Sequence, residues 1–283
     1  MKLTVIFPVH DHDTFERDLA STVEAFANCE THLVCLFSST AGELLVPYAA
    51  RSYTAARDML AEQRATTAEA IDSSKRIFDG YRPAPGSSSE WREAGTMDTD
   101  DLALHALFAD IVVLPGRTRG EGQKNQGFDY PGAILSHLVV NTPCSVLLLP
   151  EEDVTAPVFA NPVFAWKASP ESSMAAKELV RFLPPGSSLK TVTIAPKSIE
   201  GIGSWSAAEI TQYLQRSGVQ VEDKIVVLKQ GTVAQAIDDY AKSVDASLIV
   251  AGGYGRQRWL ETLLGGVTQG LLRDSRKPVL FAH

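Results

Sequence analysis

The sequence predicts an α/β protein made of two tandem, five-stranded, mostly parallel sheets flanked by helices. Apolar runs of strand length alternate with helical patterns along the 283 residues. The runs are apolar at nearly every position, which is typical of parallel strands covered on both faces. The alternation also occurs twice, and the length is comfortable for two domains of about 140 residues.

The first half contains the predicted elements in the order expected for such a unit. Its predicted strands are Leu3–Val9, His32–Phe37, Ser87–Glu93, Asp110–Leu114 and Ser145–Leu149. Its predicted helices are Thr14–Ala27, with Asp13 as a candidate cap, Tyr53–Phe78 and Asp98–Phe108. The helices are predicted from the spacing of apolar residues and from capping residues at their starts.

The second half repeats the alternation from residue 162 onward. Its predicted strands are Val163–Lys167, Thr191–Ala195, Lys224–Leu228, Leu248–Ala251 and Pro278–Ala282. Its predicted helices are Ser172–Phe182, Ser206–Arg216, Thr232–Val244 and Gly266–Asp274. The stretch between the halves, Glu151–Asn161, is predicted to be a linker.

A direct comparison of the halves indicates duplication of one unit. PGAILSHLVVNTPCSVLLLP, from Pro131, aligns without a gap with LGGVTQGLLRDSRKPVLFAH, from Leu264, and places Gly132 on Gly265. We therefore predict a domain at 1–150, a linker at 151–161 and a second domain at 162–283.

Composition excludes several classes of protein. The net charge of −8 disfavours non-specific binding to nucleic acid or to an anionic membrane. No segment has the length of a membrane span or the pattern of a signal peptide, so we expect a cytoplasmic location. Cys29, Cys35 and Cys144 form no CxxC pair, and the last two lie in apolar runs and are expected to be buried thiols.

The strongest candidate for a ligand site is the glycine-rich segment near the C-terminus. Gly252, Gly253 and Gly255 follow a predicted strand, and Gly265 and Gly266 open a predicted helix. Glycine allows the backbone to approach a ligand, and a helix N-terminus favours an anion, so the pattern suits a phosphate. A tight turn followed by a small-residue helix start is the alternative. The chain contains no GxxxxGK[ST] motif, and hence no P-loop of that type.

The spacing Gly252-x2-Gly255-x9-Gly265-Gly266 resembles the G-x2-G-x9-G-[S/T] signature of the universal stress protein family. The resemblance covers nearly the whole chain as a tandem pair, and it implies a Rossmann-like fold of the adenine nucleotide alpha hydrolase type. Many members bind ATP. Carried over to this sequence, the resemblance implies nucleotide binding, with Mg as a possible companion of ATP, by Gly252, Gly255, Gly265, Gly266 and Val267. It also places a contact between the halves, and self-association, on the terminal strands Ser145–Leu149 and Pro278–Ala282.

Two positions depart from the pattern of ATP-binding members. Gly266 stands where the signature prefers Ser or Thr, and Lys167 stands where those members carry an acid that contacts the nucleoside. The first half departs further, since Gly116, Gly120 and Gly132 form only a degenerate motif and Ala133 follows. We expect this half not to bind ATP in the usual way.

Other residues carry weaker predictions. His10-Asp11-His12-Asp13 could hold a divalent metal or be a solvated loop ending in a helix cap. Trp166 is expected in the core, and His105 and His137 in the core or an interface. No catalytic residue can be nominated, and the sequence lacks the SGGxDS-like and HIGH-like motifs of nucleotide α-hydrolases. Two functions remain: a stress-response module that binds adenine nucleotide, and a scaffold or interaction protein with a decayed site.

Overall fold

A computed structural model describes residues 2–9, 13–38, 53–94, 99–115, 130–184, 186–196, 202–253 and 266–282. The strands are β1 (Lys2–Val9), β2 (Glu30–Ser38), β3 (Ser88–Ala94), β4 (Ile111–Leu114), β5 (Ser145–Leu148), β6 (Pro162–Trp166), β7 (Ser188–Pro196), β8 (Gln220–Leu228), β9 (Leu248–Gly252) and β10 (Val279–Ala282). The helices are α1 (Phe15–Ala25), α2 (Tyr53–Gly80), α3 (Thr99–Ala106), α4 (Tyr130–Asn141), α5 (Pro170–Phe182), α6 (Ile202–Arg216), α7 (Val233–Ser243) and α8 (Gly266–Asp274).

All ten strands belong to one sheet of order β3-β2-β1-β4-β5-β10-β9-β6-β7-β8. Counted within each half, the strand order is the same, 3-2-1-4-5, and the strands within each half run parallel. The halves meet at β5 and β10, which pair antiparallel with Leu147 opposite Leu280. The contact predicted between the halves at their final strands is therefore formed within the chain.

Two hydrophobic cores lie on opposite faces of the sheet. In β1, for example, Val5 and Phe7 enter the first core and Ile6 enters the second, because successive strand residues point to opposite faces. The side of the sheet that carries the first core is called the first face and is covered by α1, α2, α5 and α6. The other side is called the second face and is covered by α3, α4, α7 and α8. Coverage of both faces explains why the strand sequences are apolar without alternation.

Two residues of the segment between β5 and β6, Val158 and Phe159, are buried in the first-face core. Val158 is fully buried, and its N–H donates to the carbonyl oxygen of Ala25 at the end of α1 (2.9 Å). The ring of Phe159 lies 6.3 Å from that of Phe26 and 5.6 Å from that of Phe182 on α5. The predicted linker thus joins the first-face helices of both halves.

Several local predictions are corrected by the structure. Asp13 is not the cap of α1, because Thr14 occupies the N-cap position and its hydroxyl donates to Asp18 (2.7 Å). His105 and His137 are half-buried, so of the two predicted positions, the core or an interface, the core is wrong. His105 Nδ1 lies 3.3 Å from Nη1 of Arg92, and His137 Nε2 lies 2.9 Å from Oδ1 of Asp100. Each histidine thus has a polar partner, Arg92 on β3 for His105 and Asp100 on α3 for His137, which explains why neither is fully buried.

The buried cysteines are as expected. Cys35 and Cys144 are almost fully buried, and burial raises the pKa of Cys35 to about 12 and that of Cys144 to about 11. Both thiols are therefore protonated and unreactive at neutral pH. Among the helices that the structure describes, none is long and apolar enough to cross a membrane.

Gly270 holds α7 and α8 at close distance. A Cβ atom at this position would lie 2.5 Å from Cβ of Ala234 on α7, a distance that real Cβ atoms do not adopt. We predict that Gly270→Ala lowers the free energy of unfolding by about 1–3 kcal/mol, because the helices must move apart. Urea denaturation measures this, and adding Ala234→Gly to the same chain should restore most of the loss. Equal stability of Gly270→Ala and wild type would contradict the packing assigned here.

Candidate functional site

The carboxyl ends of β6 and β9 form the point in the second half where the strand order reverses. The chain runs outward from β6 to β7 and β8, whereas β9 and β10 lie on the other side of β6. Ala165 and Ala251 are register partners one residue from the ends of these strands. Ligands of open parallel sheets bind beyond the strand ends at such a point. We call the space beyond the ends of β6 and β9 the crevice.

Gly252 is the last residue of β9, not a loop residue after it. A Cβ atom on Gly252 would lie 2.6 Å from the backbone nitrogen of Ser172 and 2.8 Å from the carbonyl carbon of Glu171. The first turn of α5 therefore packs directly on Gly252 and leaves no room for a side chain. This close packing explains the glycine without reference to a ligand.

The N-terminus of α5, which faces the crevice from the first face, is capped from within the chain. Ser169 occupies the N-cap position, and its hydroxyl accepts from the backbone N–H of Ser172 (3.3 Å). Pro170 follows in the first turn, where its missing N–H costs nothing. Lys167, two residues before the cap, is exposed. One N–H that could have held an anion is thus already bonded.

Gly253 ties β9 to the neighbouring strand. Its backbone N–H donates to the carbonyl oxygen of Ala282 (2.6 Å), and the residue is buried. A Cβ atom here would make only ordinary contact with Val139 of α4, at 3.5 Å. The second glycine of the cluster is therefore less constrained by packing than the first.

The described residues leave the N-terminus of α8 unobstructed. Gly266 is its first residue and is exposed, and no atom of the described residues lies within 4 Å of a Cβ atom built on it. Val267 is half-buried and packs against the second-face core, which fixes the direction of the first turn. The helix therefore directs the positive end of its dipole towards the carboxyl edge of the sheet. Packing among the described residues leaves room for a side chain at position 266.

Two buried polar atoms near the crevice have no hydrogen-bond partner among the described residues. They are Nε1 of Trp166, the last residue of β6, and Oγ1 of Thr193, its register partner on β7. Trp166 is half-buried and not fully in the core, and its ring packs 5.9 Å from that of Phe164. Each unpaired atom costs about 1–3 kcal/mol. Sequence analysis missed Thr193, because its position beside Trp166 follows only from the strand register.

The sequence profile of the universal stress protein family matches residues 168–283, from the loop after β6 through α8 and β10. Residues 168–283 belong to the universal stress protein family. No curated protein sequence matches the chain significantly.

Solved structures extend the likeness in fold to the first half of the chain. A universal stress protein from Archaeoglobus fulgidus DSM 4304 superposes with a TM-score of 0.64 at 13% identity, covering 99% of this chain and 96% of that one. A functionally unknown protein from Pseudomonas aeruginosa PAO1 gives a TM-score of 0.51 at 14% identity, with 99% and 92% covered. At these identities the likeness concerns the fold.

The universal stress protein signature is only partly described. Gly252, Gly266 and Val267 flank the crevice as set out above, whereas Gly255 and Gly265 lie outside the described residues. So do Gly116 and Gly120 of the first half, and the first three residues of His10-Asp11-His12-Asp13. Gly132 lies in α4, buried, and its carbonyl oxygen accepts from the hydroxyl of Ser136 (2.6 Å).

Acidic and histidine side chains do not gather at the crevice in the part of the chain that the structure describes. Within the same residues, no group of three His, Cys, Asp or Glu side chains is placed to hold a metal ion. Among the described residues, the polar groups that could bind a ligand in the crevice are the N-terminus of α8, the Trp166 indole and the Thr193 hydroxyl.

Proposed function

We propose that the universal stress protein region binds ATP or another adenine nucleotide in the crevice, as a switch or stability ligand in a stress response. In this proposal the signature residues Gly252, Gly255, Gly265, Gly266 and Val267 line the nucleotide. The phosphates lie at the N-terminus of α8, where free N–H groups and the helix dipole favour an anion. Magnesium enters only as the counter-ion that ATP carries in solution.

The observation that carries the proposal is the pair of buried polar atoms beside the crevice that have no partner within the described part of the chain. Nε1 of Trp166 can only donate, whereas the Thr193 hydroxyl can both donate and accept. A nucleoside has matching acceptors and donors on its base and ribose. The Thr193 hydroxyl can accept from an amino or hydroxyl group, which the Lys167 ammonium at the usual acidic position cannot do. A bound nucleoside would therefore satisfy atoms that are otherwise costly to bury.

Two experiments on the full chain test the proposal. The protein is purified without added ligand and denatured, and released adenine nucleotide is sought by absorbance and mass. Thermal unfolding is then followed with and without Mg-ATP, where ligand at a hundred times Kd should add about 2.7 kcal/mol of stability. The absence of released nucleotide, together with the absence of a thermal shift at millimolar ATP, would refute nucleotide binding.

Trp166→Phe separates the role of the indole N–H from that of the ring. Without ligand, removal of an unpaired buried donor should leave the protein as stable as wild type or more stable, by up to about 1–3 kcal/mol. With Mg-ATP, the same variant should show a smaller stabilisation than wild type because one hydrogen bond is lost. Calorimetry measures both. An unchanged ATP-induced shift would remove Trp166 from the proposed site.

A second candidate function is a scaffold or interaction protein with a decayed site. The packing of Gly252 against Ser172 favours it, because this signature glycine has a structural explanation that needs no ligand. The bond from the Ser172 N–H to Ser169 points the same way, since it occupies a donor at the crevice. This candidate predicts that Trp166→Phe changes stability equally with and without ATP.

A further inference from the structure

The outer edge of β8 differs from the other edge of the ten-stranded sheet. β5 lies between β4 and β10, and β10 lies between β5 and β9, so neither terminal strand has a free edge. The sheet ends at β3 on one side and at β8 on the other. Among the described strands, β3 and β8 are therefore the two with an edge free to pair with a second copy of the chain.

β3 is protected on both faces. On the first face, Trp91 packs against Phe37 and Phe78, with ring centroids 6.0 Å and 5.5 Å away. On the second face, Arg92 pairs with Glu90 (2.9 Å) and contacts His105 of α3. Charged side chains and covering helices are common devices that prevent an edge strand from pairing.

β8 lacks this protection over its carboxyl half. Ile225 and Val227 are 40% and 52% exposed, and they are the only large apolar side chains exposed to this extent on any described strand. They share a face with Asp223, because side chains alternate along the strand. One oxygen of Asp223 accepts from the hydroxyl of Thr191 on β7 (2.6 Å). Lys229, the first residue after the end of β8, would lie on the same face if the strand continued by one residue, and it is exposed.

We propose that β8 pairs antiparallel with β8 of a second copy of this chain, with Val226 on the two-fold axis. When two identical strands pair antiparallel about a two-fold axis, residues opposite one another must project from the same face of the sheet. The axis therefore passes beside one residue, which lies opposite the same residue of the second copy. With Val226 on the axis, Ile225 lies opposite Val227 of the second copy and Asp223 lies opposite Lys229. Each contact occurs twice, and no like charges face one another.

Neighbouring registers do not match in this way. Pairing centred on Asp223 or Lys224 sets that charge against its own copy, and pairing centred on Ile225 sets Asp223 against Val227. Opposite charges and apolar pairs across strands stabilise a sheet, whereas like charges destabilise it. The register centred on Val226 alone covers both exposed apolar side chains and pairs the charges. The antiparallel junction of β5 and β10 is the same kind of contact, formed within one chain.

Sedimentation equilibrium of the full chain tests the proposal. We expect wild type to dimerise and Lys229→Asp to weaken the dimer at least about tenfold. The substitution places a carboxylate opposite Asp223 of the second copy, and the two-fold axis repeats this repulsive pair once more. Lys229 is exposed, so the thermal stability of the monomer should not change. The double variant Asp223→Lys with Lys229→Asp exchanges the charges and should restore dimerisation. Phe108→Asp, at a side chain that is 92% exposed on the second face, should leave the dimer intact.

Cysteine cross-linking tests the register separately. Val226→Cys places two thiols opposite one another, with Cα atoms about 4.5–5.5 Å apart, which suits a disulfide. We expect oxidised Val226→Cys to run as a covalent dimer and oxidised Lys224→Cys and wild type not to. A monomeric wild type, a dimer unaffected by Lys229→Asp, or cross-linking of Lys224→Cys in place of Val226→Cys would overturn the proposal.

Discussion

Replacing Gly252 with alanine is expected to lower the free energy of unfolding by about 3 kcal/mol. The added Cβ would lie 2.6 Å from the backbone nitrogen of Ser172 and 2.8 Å from the carbonyl carbon of Glu171. Backbone atoms cannot rotate away as the end of a flexible side chain can, so α5 must shift off the sheet. α5 contributes Ala175, Leu179 and Phe182 to the first-face core, and its displacement would loosen that core.

Gly266→Ala is the matched control for this prediction. Both glycines belong to the same signature, but among the described residues no atom lies within 4 Å of a Cβ atom at 266. Alanine in the first turn of α8 should leave stability unchanged or raise it by about 0.5–1 kcal/mol, since it restricts the unfolded chain. Urea unfolding of the two variants gives the comparison. Equal losses in both would contradict the assignment of a packing role to Gly252 alone.

The second large effect is expected at Gly266, on affinity rather than stability. Gly266→Ser supplies the hydroxyl that the family signature prefers, and a hydrogen bond to a charged phosphate should tighten ATP binding about ten- to a hundredfold. Gly266→Val fills the same open space with a branched apolar side chain and should reduce binding below detection. Both variants should fold like wild type, because the space belongs to no other residue of the described chain.

Isothermal titration with Mg-ATP measures this pair. Opposite changes in affinity at constant stability indicate a ligand at the N-terminus of α8. Identical affinities for serine, valine and glycine would mean that Gly266 lines no phosphate site.

The buried strands were predictable, whereas the edge strand β8 was predicted too short. Every apolar run predicted as a strand is one, because a strand covered on both faces must be apolar. β8 was predicted at Lys224–Leu228 but begins at Gln220, and its first residues are polar because the edge strand is exposed. Backbone pairing with β7, from Ser188 opposite Gln220 onward, holds this part of the strand. A sequence window contains no information about such pairing.

The candidate site was predictable in position but not in its packing. Gly252 could be placed after an apolar run and within a spaced motif, but its contact with Ser172 joins residues 80 positions apart. Gly270 is a similar case, since its neighbour Ala234 lies on another helix. The partnership of Trp166 with Thr193 required the register of β6 and β7. Local patterns predict elements, and these contacts arise only when the elements are assembled.

The indole ¹H–¹⁵N spectrum of the protein during titration with Mg-ATP tests nucleotide binding in the crevice most directly. The chain has four tryptophans, and the signal of Trp166 is identified by its absence in Trp166→Phe. The Trp91 indole, which donates to Glu93 (3.0 Å) in the other half, serves as the internal control. We predict that the Trp166 signal moves with a saturating dependence on ATP while that of Trp91 stays in place. Indole signals that all remain unmoved at millimolar Mg-ATP would contradict the account.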